Sequence, residues 1–341
     1  MPLVRVKIEN FKSINCCDLS MSDLNILIGE NGTGKTNILD AINYFYTNLT
    51  SANKDEHIFD QNNRFSNEVK ISLFFDFSEF VKISKSNFGE VNPLNEHLIS
   101  DVKYAGYYKA ILSMASKSKD NVLSIVLRQV KGRHIRWNYS YEDRFIFKSL
   151  FPFFYIDTRN IDVTQWSLIW DVLGDLGKVS NNERKNIEGK FREILLDNNK
   201  EISKKIKSIE SIFTAADLSI KPATAKEFAI NLSKITFSGN NLQKGEKDFA
   251  YYSSGTNSVK YIELLLRSID EIAKTKLKEP VVLIDEPEIS LHPLYIDELS
   301  ETLSGVTTKL KIIISTHSSR LTKNLITLSE NVLMYNIKLI D

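Results

Sequence analysis

The sequence has only two cysteines among 341 residues, and they are adjacent, at Cys16 and Cys17. Such a pair argues against a disulfide framework and against a zinc site, and so few cysteines are typical of a reducing compartment. The favoured interpretation is two small, half-buried residues beside a strand. A vicinal redox dithiol is the alternative.

Long hydrophobic runs are also missing. No stretch of about 18 uninterrupted apolar residues occurs, and the N-terminal MPLVRVKIENFKSI alternates like a strand rather than resembling a signal peptide. We therefore expect a cytoplasmic protein with no membrane partner. Charge of one sign is not in excess either, because 44 basic and 43 acidic residues give a net charge of +1. Nucleic-acid binding would need a local basic patch.

The hydrophobic pattern predicts an α/β protein. Strands are expected at LVRVKIENF, LNILI, FPFFYID, PVVLIDE, LKIIISTH and NVLMYNI. The segments EVKISLFFDFS, NVLSIVLRQV and RHIRWNYSY alternate with period two and predict an antiparallel set, with the last two joined at Lys131 and Gly132. Apolar residues recur at threes and fours from 181 to 213, which predicts helix, with Gly189 as a candidate interruption.

The segment GENGTGKT matches the pattern G-x-x-x-x-G-K-[ST] and lies between an apolar strand and an amphipathic helix. Its backbone N–H groups can wrap a phosphate, Lys35 can reach the β and γ oxygens, and Thr36 can ligate Mg²⁺. A nucleoside triphosphate with Mg²⁺ is therefore the expected ligand, and this motif alone leaves kinases, GTPases, helicases and ATP-driven clamps open. A glycine-rich turn that binds nothing is the alternative. The predicted contacts here are Gly29, Glu30, Asn31, Gly32, Thr33, Gly34, Lys35, Thr36 and Asn37.

Two later strands end in residues suited to ATP hydrolysis. In VVLIDEPEISLHP the strand ends in Asp285, which can hold the Mg²⁺ shell with Thr36, and Glu286, which can orient and polarise the attacking water. In IIISTHS the strand delivers His317 to the same edge, where an imidazole can contact the γ-phosphate or the water. A structural histidine is the alternative. The predicted catalytic residues are Glu286, His317 and Lys35.

In order, IENFKSI, LIGENGTGKTNILDAI, YYSSGTNSVKYIELLL, LIDEPEISLHP and IISTHS resemble the ABC-type ATPase heads of the RecF, SMC and OLD group. Within that group they are most similar to stand-alone ATPases of bacterial antiphage defence, such as the PtuA proteins of Septu-type systems. The motifs lie at both ends of the chain, and residues 80 to 245 match only in layout. The resemblance implies a P-loop NTPase of ABC-ATPase type, with a mixed or parallel core sheet, an antiparallel N-terminal β lobe and a helical insertion.

The resemblance also implies an organisation in three parts. We expect an N-terminal ATPase lobe at 1–150 with the P-loop and the antiparallel strands. A core strand with a helical insertion or lid is expected at 151–248. The C-terminal lobe at 249–341 would carry the signature, Walker B and His-switch motifs.

In ABC-type ATPases a signature motif begins a helix that faces the P-loop of a second subunit. By resemblance, Ser253, Ser254 and Gly255 would contact the γ-phosphate bound by the partner chain, which implies a homodimer or a higher even oligomer. The motif departs from the family pattern, because Tyr252 replaces Leu, Ser254 replaces the first Gly and Thr256 replaces Gln. A serine cap on a core helix is the alternative interpretation.

Two further assignments rest on the resemblance alone. Lys12 in NFKSI corresponds to a basic residue near the nucleotide in related heads, and a surface lysine is the equal alternative. The glutamine of the family's Q-loop should follow FFYID. Neither Gln165 nor the nearer Arg159 can be assigned that role.

Only 341 − 317 = 24 residues follow His317, too few for the Toprim nuclease domain of OLD-type enzymes. We therefore expect an ATPase that regulates a separate effector, a nuclease that could act with a reverse transcriptase. The alternatives are a RecF- or SMC-like DNA-binding ATPase of DNA repair and an ATP-gated scaffold without hydrolysis. Nucleic-acid contact is one interpretation of RQVKGRHIRW, whose basic residues interleave with Trp137; a solvated hairpin tip is the other. The basic side chains are Arg128, Lys131, Arg133, His134 and Arg136.

Overall fold

The computed structural model describes residues 3–51, 55–59, 66–78, 81–82, 113–116, 118, 120–160, 167–177, 181–194, 200–215, 223–236, 243–244, 247–248, 254–274, 278–289, 291–306 and 310–338. They belong to two compact units. The larger unit draws on residues 1–90, 104–166 and 242–341, and the smaller unit on 91–103 and 167–241. The larger unit therefore unites both ends of the chain.

The secondary structure follows in chain order. The strands are β1 (Leu3–Phe11), β2 (Ile14–Ser20), β3 (Leu24–Ile28), β4 (Glu68–Asp76), β5 (Val122–Val130), β6 (Arg136–Trp137), β7 (Phe153–Asp157), β8 (Gln243–Lys244), β9 (Lys247–Asp248), β10 (Val281–Asp285), β11 (Lys311–Ser315) and β12 (Val332–Asn336). The helices are α1 (Lys35–Asn48), α2 (Tyr141–Leu150), α3 (Ser167–Leu176), α4 (Asn181–Arg192), α5 (Lys200–Ala215), α6 (Ala225–Thr236), α7 (Ser254–Lys274), α8 (Pro293–Val306) and α9 (Ser319–Leu328).

The first sheet of the larger unit is antiparallel, in the order β2-β1-β4-β5-β6. Alternate residues are buried, as at Val6 and Ile8 of β1 and at Ile125 and Leu127 of β5. Successive side chains of a strand point to opposite faces, so one face of this sheet packs on the core and the other meets solvent. The predicted antiparallel set is confirmed, with Gly132 at φ 73° in the turn before β6.

The second sheet is parallel at each pairing, in the order β12-β3-β11-β10-β7. Every residue of β10 and β11 is buried, which is typical of a parallel sheet covered on both faces. Helix α1 contacts strands of both sheets. Its predicted inward residues are buried, namely Ile38, Leu39, Ile42 and Phe45. This α/β architecture, a parallel core sheet with an antiparallel N-terminal sheet, is the one predicted.

Two local predictions for the antiparallel sheet are wrong. Cys16 and Cys17 lie within β2 rather than beside a strand, with Cys16 exposed and Cys17 partly buried. Strand β2 pairs with β1 at the edge of its sheet. Because an edge strand buries few side chains, its apolar alternation is faint in the sequence. RHIRWNYSY forms strand only at Arg136–Trp137, because the Ser140 side chain accepts a hydrogen bond from the Asp143 N–H at 3.1 Å and caps α2.

The described part of the smaller unit is helical. Helix α3 contacts α6, and a Cβ atom added at Gly174 of α3 would collide with Ile230 of α6. The predicted helical run from 181 to 213 consists of α4 and α5. Gly189 lies inside α4, so the candidate interruption at this residue is wrong. A single glycine costs about 1 kcal/mol relative to alanine, which is too little to end a helix by itself.

Candidate active site

The P-loop connects β3 to α1 in a conformation that requires glycine. Gly29, directly after β3, has φ 152°, and a Cβ atom there would collide with the carbonyl oxygen of Ile337. Gly32 has φ 79° and Gly34 has φ 99°. Gly34 is the N-cap of α1, which begins at Lys35. The loop therefore presents the N-terminus of α1 to the edge where the parallel strands end, a geometry that suits an anion.

Lys35 folds back over the P-loop. Its Nζ atom donates to the carbonyl oxygens of Gly29 at 3.0 Å and of Glu30 at 2.9 Å. Burial lowers the pKa of Lys35, and the nearby carboxylates of Glu286 and Asp285 oppose that shift. The ammonium group is thus held against the phosphate-binding loop, where it can pair with phosphate oxygens.

Asp285 is the fully buried last residue of β10, and its carboxylate has several partners. The Thr36 hydroxyl lies 3.4 Å from Oδ2 and 3.5 Å from Oδ1. The Ser315 hydroxyl donates to Oδ1, and the Arg159 guanidinium pairs with Oδ2. Three strands of the parallel sheet and the start of α1 therefore meet at one carboxylate.

The pair of Thr36 and Asp285 fits a magnesium ion. Mg²⁺ prefers hard oxygen ligands and is usually held by one or two carboxylates together with substrate phosphates. The hydroxyl and the carboxylate are already within 3.5 Å of each other. No cluster of three or more His, Cys, Asp or Glu side chains suited to a metal occurs among the described residues, and a phosphate-bound Mg²⁺ does not need one.

Glu286 and His317 line the same site as the P-loop residues. Glu286 has φ 50°, a conformation uncommon for a residue other than glycine. Its backbone N–H donates to the Ser315 carbonyl at 3.0 Å and lies 3.2 Å from the Ser315 hydroxyl. Its carboxylate lies 3.2 Å from His317 Nε2. The strained backbone thus aims a carboxylate at the imidazole rather than along the strand.

These residues enclose a cavity of about 530 Å³. Its lining residues are Asn31, Gly32, Gly34, Lys35, Thr36, Asn37, Arg159, Glu286 and His317. The volume lies within the usual range for small-molecule sites. The structure therefore brings together most of the predicted P-loop contacts and both residues predicted to act on water.

Sequence reasoning missed Glu288. One of its carboxylate oxygens accepts from the Thr316 hydroxyl at 2.7 Å, the His317 N–H at 2.7 Å and the Ser318 N–H at 3.1 Å. This carboxylate fixes the loop that carries His317. Its position in the Asp-Glu-Pro-Glu run marks it in the sequence, but its partners lie 28 to 30 residues away.

Thr158 and Arg159 were also not assigned from the sequence. They follow β7 in a short 3₁₀ turn, Thr158–Asn160. The Thr158 hydroxyl lies 2.6 Å from the Asp285 carbonyl and 2.7 Å from the Glu286 carbonyl. Burial alone would lower the pKa of Arg159, but the carboxylates of Asp285 and Asp157 reverse this and raise it. Gln165, the other residue considered for the Q-loop, lies outside the described residues.

Lys12 is not among the residues that line the cavity. Its Nζ atom pairs with Asp40 of α1 at 2.6 Å. Asn37 lines the cavity and donates from its side chain to the Ser13 hydroxyl at 2.6 Å. A direct role for Lys12 at the nucleotide stays a prediction.

The signature segment is described only from the helix onward. Ser254 is the first residue of α7; Ser253 and the side chains of Ser254 and Gly255 lie outside the description. The predicted apolar stripe of α7 is confirmed, because its members are buried, namely Val259, Ile262, Leu265 and Leu266. Contact of the segment with a partner's nucleotide stays a prediction.

The comparison with protein families identifies this architecture. A family model described as the AAA ATPase domain matches residues 1–322. The chain belongs to this AAA ATPase domain family. Among the described residues, no helix is both long and apolar enough to cross a membrane.

Individual curated proteins match this chain at low identity. The DNA replication and repair protein RecF of Azobacteroides pseudotrichonymphae genomovar. CFP2 is 24% identical over 318 residues, which cover 82% of each chain. The Septu protein PtuA of Bacillus thuringiensis is 24% identical over 324 residues, which cover 92% of this chain and 71% of PtuA. The predicted resemblance to both groups is confirmed.

Solved structures confirm the fold. An SMC head bound to the C-terminal winged-helix domain of ScpA aligns over 98% of this chain and 95% of its own, with a TM-score of 0.57 and 15% identity. A Pyrococcus furiosus SMC head with an extended coiled coil, bound to the C-terminal domain of ScpA, gives a TM-score of 0.55 at 13% identity, over 99% of this chain and 94% of its own. The chain thus has the ABC-type ATPase fold of SMC heads.

Proposed function

We propose that this chain binds Mg·ATP in the cavity between the P-loop and Glu286 and hydrolyses it. The observation that supports this proposal is the convergence of Lys35, Thr36, Glu286 and His317 on one cavity. The buried Asp285 carboxylate lies 3.5 Å from the Thr36 hydroxyl. These residues come from separate segments of the chain. Membership of the AAA ATPase domain family supports the same conclusion.

Each residue has a defined role in this proposal. The P-loop N–H groups and Lys35 bind the phosphates, and Thr36 and Asp285 hold Mg²⁺, which neutralises phosphate charge when bound. The Glu286 carboxylate orients the attacking water and accepts its proton. His317 hydrogen-bonds to that carboxylate, which keeps Glu286 pointing into the cavity.

The purified chain tests this directly. Binding of a fluorescent ATP analogue and release of phosphate should both be measurable and should require Mg²⁺. The variant Lys35→Ala should lose nucleotide affinity because the ammonium group is removed. Lys323→Ala, on the exposed side of α9, is the matched control and should bind like the wild type. A wild-type chain that binds no ATP would contradict the proposal.

We further propose that two heads close around two ATP molecules and that this dimer controls a separate effector in the cytoplasm. The signature segment at Ser253, Ser254 and Gly255 would face the nucleotide of the partner chain. The similarity to PtuA over 92% of this chain supports a role in antiphage defence. The effector we expect is a nuclease, which could act together with a reverse transcriptase.

Copurification tests the effector. A tagged Glu286→Gln variant should accumulate in the ATP-bound state, so it should retain partners that bind that state. Stoichiometric recovery of a nuclease, but not with Lys35→Ala, would support the proposal. Recovery of replication or repair proteins alone would favour the second candidate.

The second candidate function is DNA binding in repair, and a row of basic residues on the antiparallel sheet favours it. Lys70 of β4 stands opposite Arg128 of β5, and Arg128 stands opposite Arg136 of β6. Glu9 pairs with Lys70 at 2.9 Å. Like charges opposite each other destabilise a sheet, and an anion bound at Arg128 and Arg136 would relieve the repulsion between them.

The Trp137 side chain is not part of this basic row. Trp137 packs its ring on Phe45 of α1, with 5.1 Å between centroids, and carries Arg144 at 4.8 Å on its face. The ring is therefore engaged with the α1 side of the sheet and is not presented beside Arg128 for base stacking. Any nucleic-acid contact at this surface would be with phosphates.

A further inference from the structure

We propose that Arg159 is a positioning residue that holds the Asp285 carboxylate in the nucleotide-free chain, yields it when Mg·nucleotide binds, and then contacts the γ-phosphate. The inference rests on the proposed function, because it concerns the same site. The Arg159 side chain would thus have different partners in an empty site, in a site with a bound diphosphate and in a site with a bound triphosphate.

The first argument is that Arg159 is anchored to the strand that carries Asp285. Asp157, the last residue of β7, stands in register with Asp285 of β10. The Thr158 hydroxyl lies 2.6 Å from the carbonyl oxygen of Asp285 and 2.7 Å from that of Glu286. The backbone of the turn therefore keeps Arg159 at a constant distance from the site while its side chain remains free to change rotamer.

The second argument is that Arg159 uses an oxygen that the metal site needs. Its guanidinium pairs with Oδ2 of Asp285, the oxygen nearer to the Thr36 hydroxyl at 3.4 Å. The other oxygen, Oδ1, accepts from Ser315. A guanidinium and a divalent cation cannot both occupy Oδ2 without strong repulsion, so binding at this oxygen is an exchange.

The third argument concerns the energy of Asp285. Its side chain is 0% exposed, whereas that of Arg159 is 41% exposed. A buried carboxylate without a partner is costly, and Arg159 supplies that partner when no metal is bound. Arg159 lines the cavity while it is paired with Asp285, so a displaced guanidinium would stay within reach of a bound nucleotide. It can then pair with phosphate oxygens, for which its planar fork is suited.

Binding measurements on Arg159→Ala test the exchange without relying on turnover. Affinity for fluorescent ADP and for a slowly hydrolysed fluorescent ATP analogue would be measured as Mg²⁺ is titrated into EDTA-treated protein. The Mg²⁺ midpoint with ADP should fall about tenfold, because competition for Asp285 is removed. Affinity for the ATP analogue at saturating Mg²⁺ should also fall about tenfold, because a phosphate contact is lost.

Two further variants separate this from a structural effect. Arg159→Met keeps a long side chain without the charge or the donors, should behave like Arg159→Ala, and serves if that variant fails to fold. Arg320→Ala removes an exposed arginine that pairs with Asp297 outside the cavity, and both affinities should stay at the wild-type values. In EDTA, Arg159→Ala should melt below the wild type, and saturating Mg·ADP should close that gap.

The outcomes that overturn the proposals differ. Equal weakening of ADP and ATP-analogue binding in both Arg159 variants, with an unchanged Mg²⁺ midpoint, would overturn this inference alone. A wild-type chain that binds neither nucleotide would overturn the proposed function and this inference with it.

Discussion

The Nε2 atom of His317 lies 3.2 Å from the carboxylate of Glu286, although the two residues follow different strands of the parallel sheet. Strands β10 and β11 are paired in register from Val281 to Asp285, so their carboxyl ends stop at the same level. The Ser315 carbonyl then accepts the Glu286 N–H. Sheet register and one local hydrogen bond therefore create the contact.

This contact predicts non-additive kinetics. Glu286→Gln should lower the rate of phosphate release by about 10²- to 10⁴-fold while nucleotide binding is kept, because the amide cannot accept the proton of the water. His317→Ala should lower it less, and the double variant should be no slower than Glu286→Gln alone. Glu301→Gln, which changes an exposed side chain of α8, is the control. If the fold-losses in rate of the two single variants multiply in the double variant, the two residues act independently.

The carboxylate of Glu288 predicts a contrast between two substitutions. Glu288→Ala leaves the Thr316 hydroxyl and the His317 N–H without their acceptor, whereas the Ser318 N–H keeps the Thr316 hydroxyl oxygen at 2.9 Å. The free energy of unfolding should therefore fall by about 1 to 3 kcal/mol. Phosphate release should slow as well, because the His317 loop is loosened. Glu288→Gln keeps an acceptor oxygen and should retain most of both. Urea unfolding with a parallel phosphate assay measures this; equal loss in the two variants would contradict it.

Substituting alanine for two of the glycines should change stability in opposite directions. Gly29→Ala places a Cβ atom against the Ile337 carbonyl at a positive φ, so it should destabilise by about 1 to 3 kcal/mol and weaken nucleotide binding. Gly305→Ala, in α8 with open space around it, should be neutral or stabilise by up to about 1 kcal/mol. Thermal unfolding of both variants measures these changes. A Gly29→Ala variant as stable as the wild type would show that the loop can shift.

Local motifs were predictable from the sequence, and contacts across the fold were not. The P-loop and Asp285 follow from spacing and from the carboxyl end of an apolar strand, which are properties of a single segment. The ion pair of Arg159 with Asp285 joins residues 126 positions apart, and no periodicity encodes it. Edge strand β2 escaped prediction because its two buried apolar residues, Ile14 and Leu19, give no sustained alternation. The lobe boundaries stay a prediction.

Cys16 and Cys17 should not react as a redox dithiol, because the Cys17 thiol is expected to ionise only at high pH. Burial raises the pKa of Cys17 to about 11 from the usual 9.0, so the reactive thiolate is scarce below that pH. In a Cys16→Ser variant, alkylation of Cys17 at pH 8 should be about 100-fold slower than for a thiol of pKa 9.0, and should rise tenfold per pH unit up to about pH 11. Mass spectrometry after timed quenching measures it. Fast alkylation at pH 8 would contradict the burial argument.

The basic row on the antiparallel sheet separates the two candidate functions. If DNA phosphates bind there, Arg128→Glu and Arg136→Glu should weaken ATP-dependent binding to duplex DNA regardless of sequence. Each lost phosphate contact should reduce the slope of log affinity against log salt by about 1. Lys205→Glu, an exposed lysine of α5, is the control and should leave the slope unchanged. DNA binding that changes neither with salt nor with the two substitutions would remove the specific support for a repair function. An anionic protein partner would then be the occupant to test at Arg128 and Arg136.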